Sequence, residues 1–195
     1  MIFDVGAAAR PHPHEHVCGD ATVVVEEDWG IKCVIVDGAG HGPKAHDVAV
    51  RLSDCAQRVP SRDPVECLRR MHDEAAGSVG AVSGVFLIER SSGIAHYAAV
   101  GNTAGVLFGR QGVRFISQAG LLGERMRSAR VQVARLAPGD IAVLHTDGIC
   151  TLFEDERWRA LHSLNAQPLA SSIVAGFSKP YDDAACIVVR VLHDS

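Results

Sequence analysis

The sequence predicts an α+β fold in which the sheets are mainly antiparallel. Short β-like runs follow one another with turn signals between them, and the helical patterns come in pairs. A doubly wound fold would instead alternate strand and helix along the whole chain. The chain has 195 residues, 47% of them hydrophobic, and no linker long enough to separate two domains, so we expect residues 1–195 to form a single domain.

The first part of the chain predicts a strand, a hairpin and two helices. The strand is expected over Ile2–Ala9, and the hairpin pairs Ala21–Glu27 with Ile31–Asp37 across a turn. A proline opens each helix, at Pro43 and Pro64, where its missing N–H costs nothing. Apolar residues then recur at three- and four-residue steps, which indicates one buried face per helix.

The remainder is rich in strands and closes with two helical patterns and a strand. A loop is expected over Gln118–Ala129, and it is a candidate flap over a site. Helices are expected at about Glu154–Ser163 and Leu169–Phe177. The expected strands are Gly84–Arg90, Ile94–Val100, Ala104–Phe108, Val113–Ser117, Val131–Leu136, Ile141–His145 and Ala184–Leu192.

Composition argues against several classes of protein. The net charge is −4 and no Lys/Arg-rich tract occurs, so we expect no nucleic-acid partner. No apolar run reaches the roughly 18–20 residues that cross a bilayer, so we expect no membrane partner. The six cysteines are scattered, and the N-terminus lacks signal-peptide features, which together favour a cytoplasmic protein with reduced thiols.

Four aspartates stand where a predicted buried strand meets a loop. Asp37 ends V-I-V-D-G, Asp147 ends L-H-T-D-G, Asp182 precedes the last strand, and Asp20 precedes the Val-rich strand. Any one of them is explained more simply as a turn or cap residue. Four matching contexts together indicate a set of hard oxygen ligands, which select Mg²⁺, Mn²⁺ or Ca²⁺ rather than zinc.

The chain resembles the metal-dependent protein phosphatases (PPM, type 2C-like). The resemblance rests on five motifs in the family's order, and it covers nearly the whole chain. The D-G-x-G-H-G form is similar to the bacterial branch that acts in partner-switching control of sigma factors. The motifs are Gly19-Asp20, D-G-A-G-H-G at 37–42, Gly101-Asn102, T-D-G at 146–148 and D-D-A at 182–184.

The resemblance implies a four-layer αββα sandwich, with two antiparallel sheets flanked by helices. It also implies two metal ions, Mn²⁺ or Mg²⁺. By this resemblance Asp37 bridges both ions, Gly38 offers its carbonyl to the second, and Asp147 and Asp182 hold the first. Asp20 would be catalytic, acting close to the ions through metal-bound water.

Two departures from the family pattern concern the acid and the ion count. Many relatives carry a histidine directly after the first Asp-Gly, but here that position is Ala39 and the histidine is His41. Protonation of the serine leaving group therefore falls to His41, to a metal-bound water or to no group, and His41 as a turn-shaping residue stays an alternative. Ser83-Gly84 occupies the stretch where an acidic ligand for a third metal ion would be expected, and this favours two ions. Asn102 would support the fold near the site.

The size and the resemblance together point to the stand-alone feedback phosphatases of the stressosome. The implied substrates are phosphoserine and phosphothreonine on STAS-domain proteins, and the implied activity is serine/threonine protein phosphatase. Two alternatives remain open: a pseudophosphatase that binds phosphoproteins without cleaving them, and a metallohydrolase of small phosphate esters.

A histidine-rich stretch lies between the first two predicted strands. His12, His14 and His16 alternate around Pro13 and Glu15. On a strand, residues two apart share a face and could bind a transition metal. The prolines favour an irregular, solvated loop.

Overall fold

Two five-stranded antiparallel sheets form the centre of the computed structural model, which describes residues 1–126, 129–154 and 161–192. The first sheet contains, in spatial order, Ile2–Arg10 (β1), Ala184–Leu192 (β12), Ile141–His145 (β11), Ala104–Phe108 (β6) and Val113–Phe115 (β7). The second contains Gln132–Arg135 (β10), Ile94–Val100 (β5), Ala81–Glu89 (β4), Gly30–Gly38 (β3) and Asp20–Glu27 (β2).

Three α-helices are found among the described residues. They are Pro43–Arg58 (α1), Pro64–Glu74 (α2) and Ala166–Phe177 (α3), and a short 3₁₀ turn covers Thr151–Glu154. The first two pack on the outer face of the second sheet, and α3 packs on the outer face of the first. The expected αββα sandwich is therefore confirmed.

The two sheets pack face to face through a core of alternate side chains. On β3, Ile31, Cys33 and Ile35 face the first sheet, while Val34 and Val36 face α1 and α2. Such a strand is apolar on both faces because protein covers each of them. The final strand is built in the same way, with Ile187 and Val189 inward and Cys186 and Val188 against α3.

The stretch expected to be a loop contains a small hairpin. Gly120–Leu121 (β8) pairs with Arg125–Met126 (β9), so the prediction of an unstructured 118–129 loop was wrong there. Leu122, fully buried at the turn, exchanges both backbone hydrogen bonds with Ala81 at the start of β4. Strands of two residues are too short to show an alternating pattern, and so the sequence did not predict them.

The other elements agree with expectation to within a few residues. The strand expected from Gly84 begins at Ala81, and the helix expected from Leu169 begins at Ala166. The helix expected at 154–163 lies largely outside the described residues. Among the described residues, no helix is long and apolar enough to cross a membrane.

Candidate metal centre

The four predicted aspartates come together at one end of the sandwich, where β3 and β11 finish and β2 and β12 begin. Asp20 and Asp37 are direct partners in the register of β2 and β3. Asp147 follows β11, and Asp182 stands two residues before β12. Asp37, Asp147 and Asp182 line one cavity of about 330 Å³. The structure thus joins three distant chain segments at one site.

Asp20 lies beneath this cavity and is held by a contact between the sheets. Its Oδ2 accepts a hydrogen bond of 2.6 Å from Thr146 Oγ1, and the same hydroxyl accepts one of 3.0 Å from the backbone N–H of Ala185. The Asp20 residue is only 6% exposed. Thr146 therefore fixes a carboxylate of the second sheet to the end of the first sheet.

The crowding of carboxylates changes their protonation. Burial, followed by the charge of Asp37, raises the pKa of Asp20 well above its ordinary value. Burial and then the charge of Asp147 raise the pKa of Asp37. The pKa of Asp182 is also raised, by burial and then by Asp147. Like charges in a partly dry site disfavour one another's ionised forms, and a bound cation would remove that penalty.

Asn102 contacts the cluster directly. Its Nδ2 donates a hydrogen bond of 2.6 Å to Asp147 Oδ2, and its side chain lines the same cavity. The sequence predicted a supporting role for this residue, and the observed contact orients a carboxylate rather than a loop. Outer residues of this kind fix the direction in which a ligand oxygen points.

The glycines after Asp37 and Asp147 are needed for space. A Cβ on Gly38 would lie 2.3 Å from the carbonyl oxygen of Ala45 in α1, and one on Gly148 would lie 1.8 Å from the carbonyl oxygen of Asp183. Neither glycine has a positive φ. Close backbone approach is therefore the reason for both Asp-Gly pairs, and the Gly38 N–H donates to Gly19 O at 3.0 Å.

Asp183 is the second aspartate of the D-D-A motif, and the structure shows a role for it that the sequence did not predict. Its Oδ1 accepts a hydrogen bond of 2.9 Å from the backbone N–H of His12, and its Oδ2 is buried. The carboxylate packs against Gly19, where a Cβ would lie 2.8 Å from Oδ2. Asp183 thus anchors the histidine-rich loop beside the cluster.

His41 lies at the rim of the cavity together with residues of that loop. Its Nδ1 is 2.7 Å from Glu15 Oε1, and its ring stacks on that of His12 with centroids 4.5 Å apart. No sequence pattern indicates that residues 12 and 15 reach residue 41. The stretch is a loop, as its prolines indicated, but His12 packs on a site residue.

The donor set fits a hard divalent cation in chemistry and charge. It offers carboxylate oxygens and the backbone at Gly38, and Asp183 Oδ2 adds a buried acceptor nearby. The described side chains do not, however, stand in a complete coordination geometry around an ion. Within residues 1–126, 129–154 and 161–192, no group of three or more His, Cys, Asp or Glu side chains is arranged to hold an ion.

Solved structures share this fold along their length. One of them comes from work on the bacterial stressosome, described there as a modular system that has been adapted to control secondary messenger signalling. It superposes with a TM-score of 0.90 and 27% identity, and the match covers 97% of this chain and 100% of that one. The structure of RsbX in complex with magnesium superposes with a TM-score of 0.82 and 18% identity, and the match covers 96% of this chain and 94% of that one. The serine/threonine phosphatase PstP of Mycobacterium tuberculosis superposes with a TM-score of 0.74 and 12% identity, and the match covers 99% of this chain and 100% of that one. No curated protein sequence matches the chain.

The fold and the acidic site define a phosphatase domain of the PP2C type. The family model for stage II sporulation protein E (SpoIIE) matches residues 27–192. The chain therefore belongs to the SpoIIE family, within the partner-switching branch of the metal-dependent phosphatases. The resemblance seen in the motifs is confirmed. Divalent metals are the cofactors that PP2C-type phosphatases use.

Proposed function

We propose that this chain is a metal-dependent protein phosphatase that hydrolyses phosphoserine and phosphothreonine on STAS-domain signalling proteins. Membership of a family of PP2C-type serine/threonine phosphatases supports the reaction class. The likeness to a stressosome structure and to RsbX supports a partner in stress signalling. We also propose that residues 1–195 work as one catalytic domain.

One observation carries the proposal: aspartates from separate segments meet at the wall of one cavity, where burial and then the charge of Asp147 raise the pKa values of Asp37 and Asp182. Such repulsion costs stability and has no evident benefit to a protein that only needs a turn or a cap. It is the arrangement expected of carboxylates that bind a divalent cation. The cavity beside them is open to solvent and has room for a phosphate group.

In this proposal Asp37, Asp147 and Asp182 hold two ions together with the carbonyl of Gly38. When bound, Mg²⁺ or Mn²⁺ would supply Lewis acidity and would lower the pKa of water, so that a nucleophile is available at neutral pH. Asp20, held by Thr146, places a further carboxylate beneath the ligands. Asn102 keeps Asp147 turned towards the cavity.

His41 is the proposed donor of a proton to the leaving serine oxygen. Its place on the cavity wall with Asp37 and Asp182 supports this role. Serine alkoxide is a poor leaving group, so a proton delivered as the bond breaks lowers the barrier. The alternative, a histidine that only shapes the turn, predicts no dependence on the leaving group.

Replacement of Asp37 tests the proposal. Asp37→Asn should abolish hydrolysis of a phosphorylated STAS protein and weaken Mn²⁺ binding, because a neutral amide neither bridges two cations nor offsets their charge. Hydrolysis rates and calorimetric Mn²⁺ titration of the variant provide the measurement. Asp47→Asn changes an exposed carboxylate of α1 and should leave both readouts unchanged.

Metal removal completes this test. EDTA should stop hydrolysis, and Mn²⁺ should restore it. Unchanged Mn²⁺ affinity in Asp37→Asn would contradict the ligand assignment. A wild-type protein that binds Mn²⁺ and the phosphoprotein without turnover would instead be a pseudophosphatase. Faster hydrolysis of free phosphoserine than of the phosphoprotein would indicate a small-molecule substrate.

A further inference from the structure

We propose that Glu15 is a positioning residue that sets the orientation and the working nitrogen of His41. The inference rests on the proposed phosphatase function and deepens it. Glu15 lies in the loop between β1 and β2, 26 residues before His41. Neither the motifs nor the family match, which begins at residue 27, includes it.

The contact between these side chains is built into the backbone around it. Glu15 Oε1 lies 2.7 Å from His41 Nδ1. The carboxylate packs on Gly42, where a Cβ would lie 2.7 Å from the same oxygen, and the φ of Gly42 is +76°. Any side chain at residue 42 would therefore be strained and would displace Glu15. The glycine leaves room for the carboxylate directly beside His41.

The loop that carries Glu15 is held in place by the acidic cluster itself. The backbone N–H of Glu15 donates a 2.9 Å hydrogen bond to His12 O, and the N–H of His12 donates one of 2.9 Å to Asp183 Oδ1. The His12 ring stacks on His41 at an interplanar angle of 13°. His41 is thus contacted at one ring nitrogen and on one face, although its side chain is 56% exposed.

This arrangement assigns different tasks to the two ring nitrogens. A carboxylate accepts only from a protonated nitrogen, so Glu15 favours the proton on Nδ1 and leaves Nε2 for exchange with a substrate. A carboxylate that orients a histidine and stabilises its protonated form is the arrangement used in hydrolytic triads. Glu15 would act on the reaction only through His41.

The proposed step is balanced without any further reactant. A bond forms between phosphorus and a water oxygen while the bond between phosphorus and serine Oγ breaks. The electron pair of the broken bond stays on Oγ, which takes the Nε2 proton of doubly protonated His41 and leaves its Nδ1–H form. The proton released by the attacking water returns to His41 through solvent. The products are serine and inorganic phosphate.

Two substrates separate positioning from a general loss of structure. p-Nitrophenyl phosphate has a leaving group that needs no proton, whereas a phosphoserine peptide does. With Mn²⁺ present, His41→Asn should lower kcat for the peptide about 100-fold or more, which is the range for acid–base catalysis. Glu15→Ala, which removes only the orienting partner, should lower it at least about 10-fold. Both should keep kcat for p-nitrophenyl phosphate within about threefold of the wild type. Glu15→Gln, which keeps an acceptor oxygen, should restore most of the peptide activity.

A double variant and a spectroscopic readout complete the experiment. Glu15→Ala added to His41→Asn should cause no further loss, because Glu15 acts through His41. His16→Ala, in the same loop and exposed, serves as the control and should match the wild type. Nitrogen-15 NMR of the metal-free protein should show Nδ1–H at His41 in the wild type and a shift towards Nε2–H in Glu15→Ala.

The outcomes distinguish this inference from the function on which it rests. Wild-type turnover with equal losses on both substrates, or an unchanged His41 tautomer in Glu15→Ala, would overturn the positioning role and leave the phosphatase proposal standing. No turnover of either substrate by the wild type would overturn the phosphatase proposal, and this inference with it.

Discussion

At the scale of single residues, neighbouring side chains at the site have separate tasks. Asp182 lines the cavity, whereas the adjacent Asp183 turns to the histidine-rich loop and accepts from the backbone of His12. Asn102 acts on Asp147, and Thr146 acts on Asp20. The roles differ because each carboxylate points where its particular hydrogen-bond donor lies.

Loss of the Asn102 amide should weaken the site without removing a ligand. Asn102→Ala deletes the donor that fixes Asp147 Oδ2, and changes of this kind cost about 10- to 100-fold in metal affinity or activity. Mn²⁺ titration and hydrolysis rates measure the effect. Asn165→Ala, at the start of α3 and outside the cluster, is the matched control. If the two variants have equal Mn²⁺ affinity and equal hydrolysis rates, the contact of Asn102 with Asp147 contributes to neither.

At the scale of elements, the site depends on how closely backbones meet. The end of β3 touches α1 because Gly38 has no side chain, and Gly148 lets the turn after β11 touch the chain before β12. These glycines therefore set the distances between the segments that carry the aspartates. The ability of glycine to adopt a positive φ has no part in this effect, since both glycines lie outside the left-handed region.

A methyl group at Gly38 should destabilise the fold. Its Cβ would lie 2.3 Å from the Ala45 carbonyl oxygen, so β3 and α1 would have to move apart. Overpacking of this kind costs about 1–3 kcal/mol in the free energy of unfolding. At Gly176 in α3 a Cβ would have no neighbour within 4 Å among the described residues outside the adjoining helix backbone. Gly176→Ala should therefore raise that free energy by up to about 1 kcal/mol. Urea denaturation compares them, and equal stabilities would refute the steric argument.

At the scale of the whole molecule, the proposed metal centre is an inter-sheet feature. Asp20 and Asp37 belong to the second sheet, and Asp147 and Asp182 adjoin strands of the first. The inter-sheet core holds the two groups together, and their repulsion opposes it. Stability and the proposed metal binding should therefore be coupled in this protein, because an ion that binds only the folded state stabilises it.

The metal-free protein should lose stability as the pH rises. The pKa values of Asp20 and Asp37 are raised in the folded protein, so between about pH 4, where free carboxyls titrate, and those raised values the folded state binds more protons than the unfolded state. The free energy of unfolding then falls with increasing pH. Urea denaturation in EDTA at several pH values measures this trend, and Asp20→Asn should reduce it.

Added Mn²⁺ should reverse that trend, because it binds the ionised carboxylates. At about 100 times its Kd, a ligand of the folded state adds about 2.7 kcal/mol to the free energy of unfolding. The gain should be larger near pH 8 than near pH 5. Rising stability with pH in EDTA, or a Mn²⁺ effect independent of pH, would be incompatible with a repulsive carboxylate cluster.

Much of the fold was predictable from local patterns. Turn residues, prolines and apolar periodicity predict the long strands and helices. The observed bounds of β5, β6, β11 and β12 agree with the predicted ones at both ends. The β8–β9 hairpin was not predicted, because two-residue strands depend on pairing with the rest of the fold rather than on their own pattern. The four aspartates could be named from their positions at strand ends.

The covalent order of residues was enough to indicate the family, the layers and the acidic ligands, because motifs and periodicity are properties of short segments. Which side chains meet was settled by packing. The contacts Glu15–His41, Asn102–Asp147 and Thr146–Asp20 join residues 26, 45 and 126 positions apart. No local pattern encodes such distances, since they follow from two sheets and a loop closing on one another.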